Sequence, residues 1–259
     1  MGYRSYSYED YIRAMELLNR RFGITKVSRK LNIPKSTLHY WRRGIYRPPS
    51  VRWMPKPSKE LAYVIGVMLG DGYIVREHHY DYDIELKVKD YEFAEAFSRN
   101  IAKVLNKRFR KPHWSESHNR WRIYYRSKAF YTWYRRQDLD TLKQYIEYDG
   151  DTVKYFLRGI YDSEGTNYRC RIISLANSDL ELLQYVQYLL KKYFNIRATG
   201  PYLNKKARSI HIKKNGERIR TSHNTYCIEI SRKRDVQAFL SKIGFSIKEK
   251  QLGLPRRRR

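Results

Sequence analysis

Acidic side chains, cysteines and long apolar runs are all scarce in this sequence, and each shortage closes off a class of function. Of 259 residues only two are cysteines, Cys170 and Cys227. That is too few for a disulfide framework and lacks metal-ligand spacing, so both read as buried thiols. No apolar run approaches the roughly 20 residues that span a bilayer, and no signal-like apolar segment opens the chain. A soluble, intracellular protein with no membrane partner is expected, in the nucleoid-associated cytoplasm of a prokaryote or in an organelle. Asp and Glu number 26 against 54 Lys and Arg, leaving a formal charge of +28. This exceeds what solubility requires and points to a polyanionic partner, with nucleic acid the leading choice.

The charge is concentrated at the ends: residues 1–58 hold 13 basic and 3 acidic side chains, and residues 200–259 hold 17 and 4. Residues 1–44 read as a small helical domain. Ser7-Tyr8-Glu9-Asp10 is a start signal, followed by Tyr11, Ile12, Met15, Leu18 and Phe22 at helical spacing. A second helix spans about Thr25 to Leu31, Asn32-Ile33-Pro34 breaks it, and Lys35 to Arg43 form a third with Gly44 as its stop. This resembles a helix-turn-helix module, in which Lys35, Ser36, Thr37, His39, Tyr40 and Arg42 would face DNA while Leu38 and Trp41 pack inward. An inert three-helix cap is the alternative. Residues 45–58, with four prolines among basic residues, are a stiff linker.

Two stretches then share one pattern. Val64-Ile65-Gly66-Val67-Met68-Leu69-Gly70-Asp71-Gly72 and Leu157-Arg158-Gly159-Ile160-Tyr161-Asp162-Ser163-Glu164-Gly165 are apolar runs with small residues four apart, each ending in an acid and a glycine. Each copy is followed by a similar order of elements: strand Asp83–Lys89 and helix Tyr91–Leu105 in one half, strand Arg171–Asn177 and helix Asp179–Phe194 in the other. Further strands and a closing helix complete each half. The expected fold is α+β, with two pseudo-symmetric αββαββα halves, 59–147 and 148–250, after the helical domain and before a basic tail, 251–259. An added hairpin around Asn215-Gly216 carries Lys213, Lys214, Arg218 and Arg220, suited to a DNA groove.

The paired runs resemble the motifs of LAGLIDADG homing endonucleases in their single-chain, two-motif form, and the resemblance covers about residues 59–245. It implies a saddle of antiparallel sheets in the DNA major groove and a metal-dependent double-strand cut across the minor groove. Physically, Gly66, Gly70, Gly159 and Ser163 form faces that let two helix backbones approach closely. The approach brings Asp71 and Glu164 to one place. Carboxylates at helix C-termini are unfavourable, and Mg²⁺ or another divalent cation would compensate, with Gly70 and Ser163 counted in the metal-holding set. Gly72 and Gly165 are expected to supply the left-handed conformation that ends each helix. Asp162 is expected to be peripheral.

The resemblance also implies a water-positioning polar residue after each motif. Asn177 occupies that place in the second half, and Val88 in the first, leaving Lys87 or Lys89 as substitutes. A basic residue at the end of each last strand is implied for transition-state charge: Arg126 or Lys128, and Arg232 or Lys233. Base and phosphate contacts are expected from Arg76, Glu85, Lys87, Arg122, Tyr124, Tyr202, Lys205 and Arg208, and nonspecific contact from Arg256–Arg259. The expected activity is site-specific cleavage of a long, asymmetric double-stranded DNA target by a monomer. The alternatives are a non-catalytic DNA-binding regulator with the same scaffold, and a maturase that binds intron RNA.

Overall fold

The computed structural model describes residues 6, 8–46, 48, 53–76, 81–212, 218–220 and 222–255. Ser7, Lys213, Lys214, the Asn215-Gly216 turn and Arg256–Arg259 lie outside the described residues. The chain divides into two compact units, Met1–Trp53 and Met54–Arg259.

In the first unit, α1 (Tyr8–Asn19), α2 (Ile24–Leu31) and α3 (Lys35–Arg42) enclose their own core of Ala14, Leu18, Val27, Ile33, Leu38 and Trp41. Asn32 ends α2 in the left-handed region (φ 53°), with its N–H donating to the Ser28 carbonyl. A three-residue turn then drops Ile33, 2% exposed, into the core.

The second unit contains two halves built alike. The first runs α4 (Lys59–Met68), β1 (Tyr73–Arg76), β2 (Tyr82–Val88), α5 (Tyr91–Val104), β3 (His113–Ser115), β4 (Arg120–Arg126) and α6 (Lys128–Tyr134). Helix α7 (Leu139–Ile146) follows. The second runs α8 (Gly150–Glu164), β5 (Gly165–Tyr168), β6 (Ile172–Asn177), α9 (Leu180–Phe194), β7 (Thr199–Lys205), β8 (Ile210–Ile212), β9 (Arg218–Arg220), β10 (Thr225–Ile230), α10 (Lys233–Lys242) and α11 (Lys248–Gln251). Each half carries a four-stranded antiparallel sheet, ordered β1-β2-β4-β3 and β5-β6-β10-β7, while β8 and β9 pair as a separate ribbon. The expected α+β fold with two αββαββα halves is therefore present, extended by α7 and α11, which periodicity did not signal.

Both motif helices have defined starts. The Ser58 side chain accepts from the Leu61 N–H at 3.1 Å, and Asp149 and Thr152 form a reciprocal capping box for α8, an arrangement typically worth about 1 kcal/mol. Helix α4 is buried along its whole apolar length from Leu61 to Met68, because α8 covers one face and the first half covers the other.

Candidate active site and nucleic-acid face

The two motif helices touch backbone to backbone. A Cβ at Gly66 would lie 2.9 Å from the Ile160 nitrogen and closer still to the Phe156 carbonyl oxygen; one at Gly159 would lie 3.2 Å from the Val67 nitrogen and closer to the Tyr63 oxygen. A Cβ at Gly70 would meet Ser163 Cβ at 2.5 Å. Small residues four apart are thus required on both helices, as the sequence pattern indicated. The terminal glycines have a different reason from the one expected. Gly165 is extended (φ −80°, ψ 151°), and Gly72 is absent from the positive-φ residues. What crowds a side chain is the backbone of the helix just left: a Cβ at Gly72 would lie 3.1 Å from Met68 Cα and from the Val67 oxygen, and one at Gly165 2.9 Å from Tyr161 Cα and closer to its carbonyl oxygen. Each strand folds straight back across the helix it leaves.

The crossing places Asp71 just beyond α4 and Glu164 as the last residue of α8. Asp71 is exposed and Glu164 half-buried. Burial pushes the Glu164 carboxyl upward, the Asp71 charge pushes it further, and Lys250 opposes both. The two acids therefore sense one another electrostatically. Among the described residues no three His, Cys, Asp or Glu side chains cluster as a self-sufficient metal site. A donor set of two carboxylates suits Mg²⁺, which completes its shell with phosphate oxygens and water, and does not suit a closed zinc site.

Beside Asp71 lies a cavity of about 270 Å³, whose lining includes Ser163, Lys87, Val88, Lys89 and Arg120. Strand register fixes the equivalences between the halves. Tyr73 pairs with Glu85, and Thr166 with Ser174; three residues on, Val88 stands where the other half has Asn177. Val88 is 5% exposed. The Asn177 Oδ1 accepts from the Asp179 N–H at 2.9 Å, a turn contact ahead of α9.

The expected basic residues at strand ends are not brought to this place. β4 runs antiparallel to β2, with Val88 opposite Trp121 and Asp83 opposite Arg126. Arg126 is thus six residues from Arg120, about 20 Å along the strand. Arg126 pairs with Asp81 at 2.7 Å and Asp83 at 3.0 Å, and Lys128 lies over the Tyr82 ring at 5.6 Å. Arg232 is the N-cap of α10 and Lys233 its first residue, beyond the far end of β10. Arg120, at the start of β4, is the cation of that strand that reaches the cavity.

A second residue missed in the sequence is Lys250. It is 5% exposed, and its Nζ donates to the carbonyls of Asp162 at 2.6 Å and Tyr161 at 3.3 Å, placing a cation on the last turn of α8. Asp162 is not peripheral. It is 1% exposed, and its carboxylate accepts from Tyr63 Oη and the Ser246 N–H, both at 2.8 Å. It fastens α8 to α4 and to the segment carrying Lys250, and burial raises its pKa against the pull of these hydrogen bonds.

Away from the acids, alternation along the strands separates two faces. Ile84, Leu86 and Val88 face the core. Glu85 and Lys87 share the opposite face with their partners Tyr124 and Arg122. Glu85 is not an open contact residue: its side chain is 2% exposed, bound by Arg122, with Lys87 Nζ at 3.5 Å. Arg76 lies on the other side, opposite Tyr82, with its guanidinium 5.7 Å from that ring. In the second sheet Tyr202 pairs with Cys227 and Lys205 with Thr225. Tyr202 and Lys205 are exposed, and Arg208 sits in the turn after β7 at φ 64°. Arg218 and Arg220 stand opposite Ile212 and Ile210 in the ribbon. Neither cysteine is buried as expected: Cys170 is exposed and Cys227 is intermediate. In the first unit Lys35, Ser36, His39, Tyr40 and Arg42 are exposed and Thr37 is half-buried.

Among the described residues no helix is long and apolar enough to cross a membrane. Residues 151–244 match the LAGLIDADG-like domain family and residues 60–129 the WhiA LAGLIDADG-like domain. The homing endonuclease I-DmoI, solved with DNA and Mn, has the same fold, with a TM-score of 0.51 and 20% identity over 73% of this chain and 98% of that one. Uncharacterized protein MJ0398 of Methanocaldococcus jannaschii is 31% identical over 93% of this chain and 89% of its own length. Protein MJ0314 of the same organism is 34% identical over 52% and 55%. With a match in each half and a relative aligned over nearly all its length, the chain belongs to the LAGLIDADG-like family.

Proposed function

We propose that this chain is a site-specific, metal-dependent DNA endonuclease that cuts both strands of a long asymmetric duplex. One observation carries the reading: backbone contact between α4 and α8 brings Asp71 near enough to oppose ionisation of Glu164, beside a cavity whose lining sets Lys87, Lys89 and Arg120 with Asp71, Asp90 and Asp162. Two mutually repelling carboxylates would weaken the grip on a polyanion unless a cation joined them. A divalent cation such as Mg²⁺, held by Asp71 and Glu164 with phosphate oxygens and water, would lower the pKa of bound water and stabilise the leaving oxygen. Lys87, Lys89 and Arg120 hold the phosphate charge on the Asp71 side. Lys250 holds the end of α8 and so the Glu164 backbone. Strand residues Lys87, Arg122 and Tyr124, with Tyr202 and Lys205, face the duplex. Both acids come from one polypeptide, so a monomer supplies the complete pair. The DNA and Mn bound by I-DmoI support the same reading.

A second reading is a binder that does not cut. The first half's match to the WhiA LAGLIDADG-like domain, together with Val88 in place of a polar residue, favours it. Incubation with plasmid carrying the uninterrupted form of the DNA that flanks the gene, first with Mg²⁺ and then with EDTA, decides between the two. Cleavage is expected with Mg²⁺ alone and should be lost in Asp71→Asn and Glu164→Gln. Absence of a metal-dependent double-strand cut by the unaltered protein would overturn the nuclease reading in favour of the binder.

A further inference from the structure

We infer that the Met1–Trp53 unit is a second, separate reader of duplex DNA, with α3 entering the major groove, whether or not Asp71 and Glu164 cut. Three features of the unit converge on this. It has its own core, Ala14, Leu18, Val27, Ile33, Leu38 and Trp41, and Leu38 and Trp41 anchor α3 in it. The connection from α2 to α3 is a three-residue turn in which Asn32 takes the left-handed conformation and Ile33 plugs the core. This length is typical of the helix-turn-helix, whose second helix reads the groove.

Charge is also polarised within the unit. All three acids of residues 1–53, Glu9, Asp10 and Glu16, lie in α1. Residues 24–43 carry Lys26, Arg29, Lys30, Lys35, Arg42 and Arg43 with no acid. Apolar Leu38 and Trp41 turn inward, leaving Lys35, Ser36, His39, Tyr40 and Arg43 exposed as one continuous helical face. Tyr40 is 53% exposed, so its ring and hydroxyl are open to a partner. Lys35 and Arg42 lie along one edge of the face and Arg43 at its C-terminal end, positioned for phosphates, while Ser36, His39 and Tyr40 offer donors, acceptors and a ring edge for bases. Tethering this reader to the other unit raises the local concentration of each for its own stretch of DNA.

The test selects duplexes from a random-sequence pool with the full chain in EDTA, so that cleavage plays no part and failure of the nuclease reading leaves the outcome intact. The unaltered protein is expected to enrich two separate blocks of preferred sequence. The variant Ser36→Ala/His39→Ala/Tyr40→Ala, changed only at exposed positions, should lose one block and bind the selected duplex at least about 10-fold more weakly. Arg122→Ala should weaken the other block. A charge variant, Lys35→Gln/Arg42→Gln/Arg43→Gln, should keep both blocks but reduce the salt slope by up to about 0.9 for each phosphate left unneutralised. Selection of the same sequence with the same affinity by the triple-alanine variant overturns the inference. So does loss of both blocks together, because the reader would then not be separate.

Discussion

Replacing Gly66 by alanine tests how the two carboxylates come together. The added Cβ would sit 2.9 Å from the Ile160 nitrogen and closer to the Phe156 carbonyl oxygen, where ordinary contact begins at 3.4 Å. The atoms it meets are backbone on the facing helix, so no side chain can rotate away. The helices must part by at least about 0.5 Å, with an overpacking cost at the upper end of the usual range, roughly 2–3 kcal/mol. For a unit of this size that lowers Tm by about 4–12 °C. Gly159→Ala meets the same obstacle from the other side, at the Tyr63 oxygen and the Val67 nitrogen. Once one alanine has spread the helices, the second finds part of its space already open, so the double variant should cost less than the sum of the single ones. Spreading also moves Asp71 and Glu164 apart. On the proposed nuclease reading, cleavage should fall more than stability predicts, since misplacement can cost up to about 100-fold per ångström. The control is Gly150→Ala, at the first position of α8 with nothing within 4 Å of its Cβ, which should leave Tm unchanged or slightly raised. Thermal unfolding of all four variants is the assay. If Gly66→Ala unfolds with Gly150→Ala and the unaltered chain, or if the two crossing alanines are simply additive, the backbone-contact reasoning fails.

Glu164→Gln should raise Tm in metal-free buffer at neutral pH. The folded Glu164 titrates above its unfolded value because burial and Asp71 disfavour its charge, so the native state is penalised in full above that raised pKa, and the penalty shrinks as pH falls below it and is gone below the unfolded value. The gain from Gln should therefore shrink toward zero in acid; a gain independent of pH would rule out this origin. Lys250→Met removes the charged donor of two carbonyls at a cost of about 2–3 kcal/mol, and should push the Glu164 titration still higher, visible as a larger stabilising effect of Glu164→Gln in that background. Glu85→Gln leaves Arg122 and Lys87 without their shared counter-charge. It should destabilise by about 1–3 kcal/mol while strengthening binding to random-sequence duplex. Weaker nonspecific binding, measured by anisotropy, would contradict the pairing role assigned to Glu85.

Periodicity and punctuation were enough to find α1–α3, the paired motifs and the order of strands, because each rests on local spacing. The Val88–Asn177 equivalence was also within reach, and strand register upholds it. What escaped depended on chain direction and distant partners. Lys250 stands 86 positions after Glu164 in a four-residue helix, with no periodic signal to mark it. Glycine before a strand reads as a left-handed stop, yet at Gly72 and Gly165 the constraint is a neighbouring Met68 or Tyr161 atom, invisible until the strand's path is known. Asp162 shows the same limit: an acid in an apolar run looks misplaced until Tyr63 and the Ser246 N–H arrive from 99 and 84 positions away.

The choice between Arg120 and Arg126 could have been made by direction alone. β1 starts at Tyr73, just after Asp71, and pairs antiparallel with β2, so the end of β2 returns to Asp71. β4 is antiparallel to β2, so its start, not its end, lies there. The same registers show how far the halves have diverged. Where the first sheet pairs Lys87 with Arg122 and Glu85 with Tyr124, the second pairs Ala176 with Cys227 and Ser174 with Glu229. Where Arg120 precedes Trp121, Thr225 precedes Tyr226. The helix crossing is nearly symmetric because backbone contact tolerates only small residues on both sides. The sheet faces carry no such constraint, and their cations have accumulated beside Asp71. Symmetry is thus imposed where the two acids meet and relaxed on the sheet faces, which is the arrangement that the proposed reading of an asymmetric DNA sequence requires of a single chain.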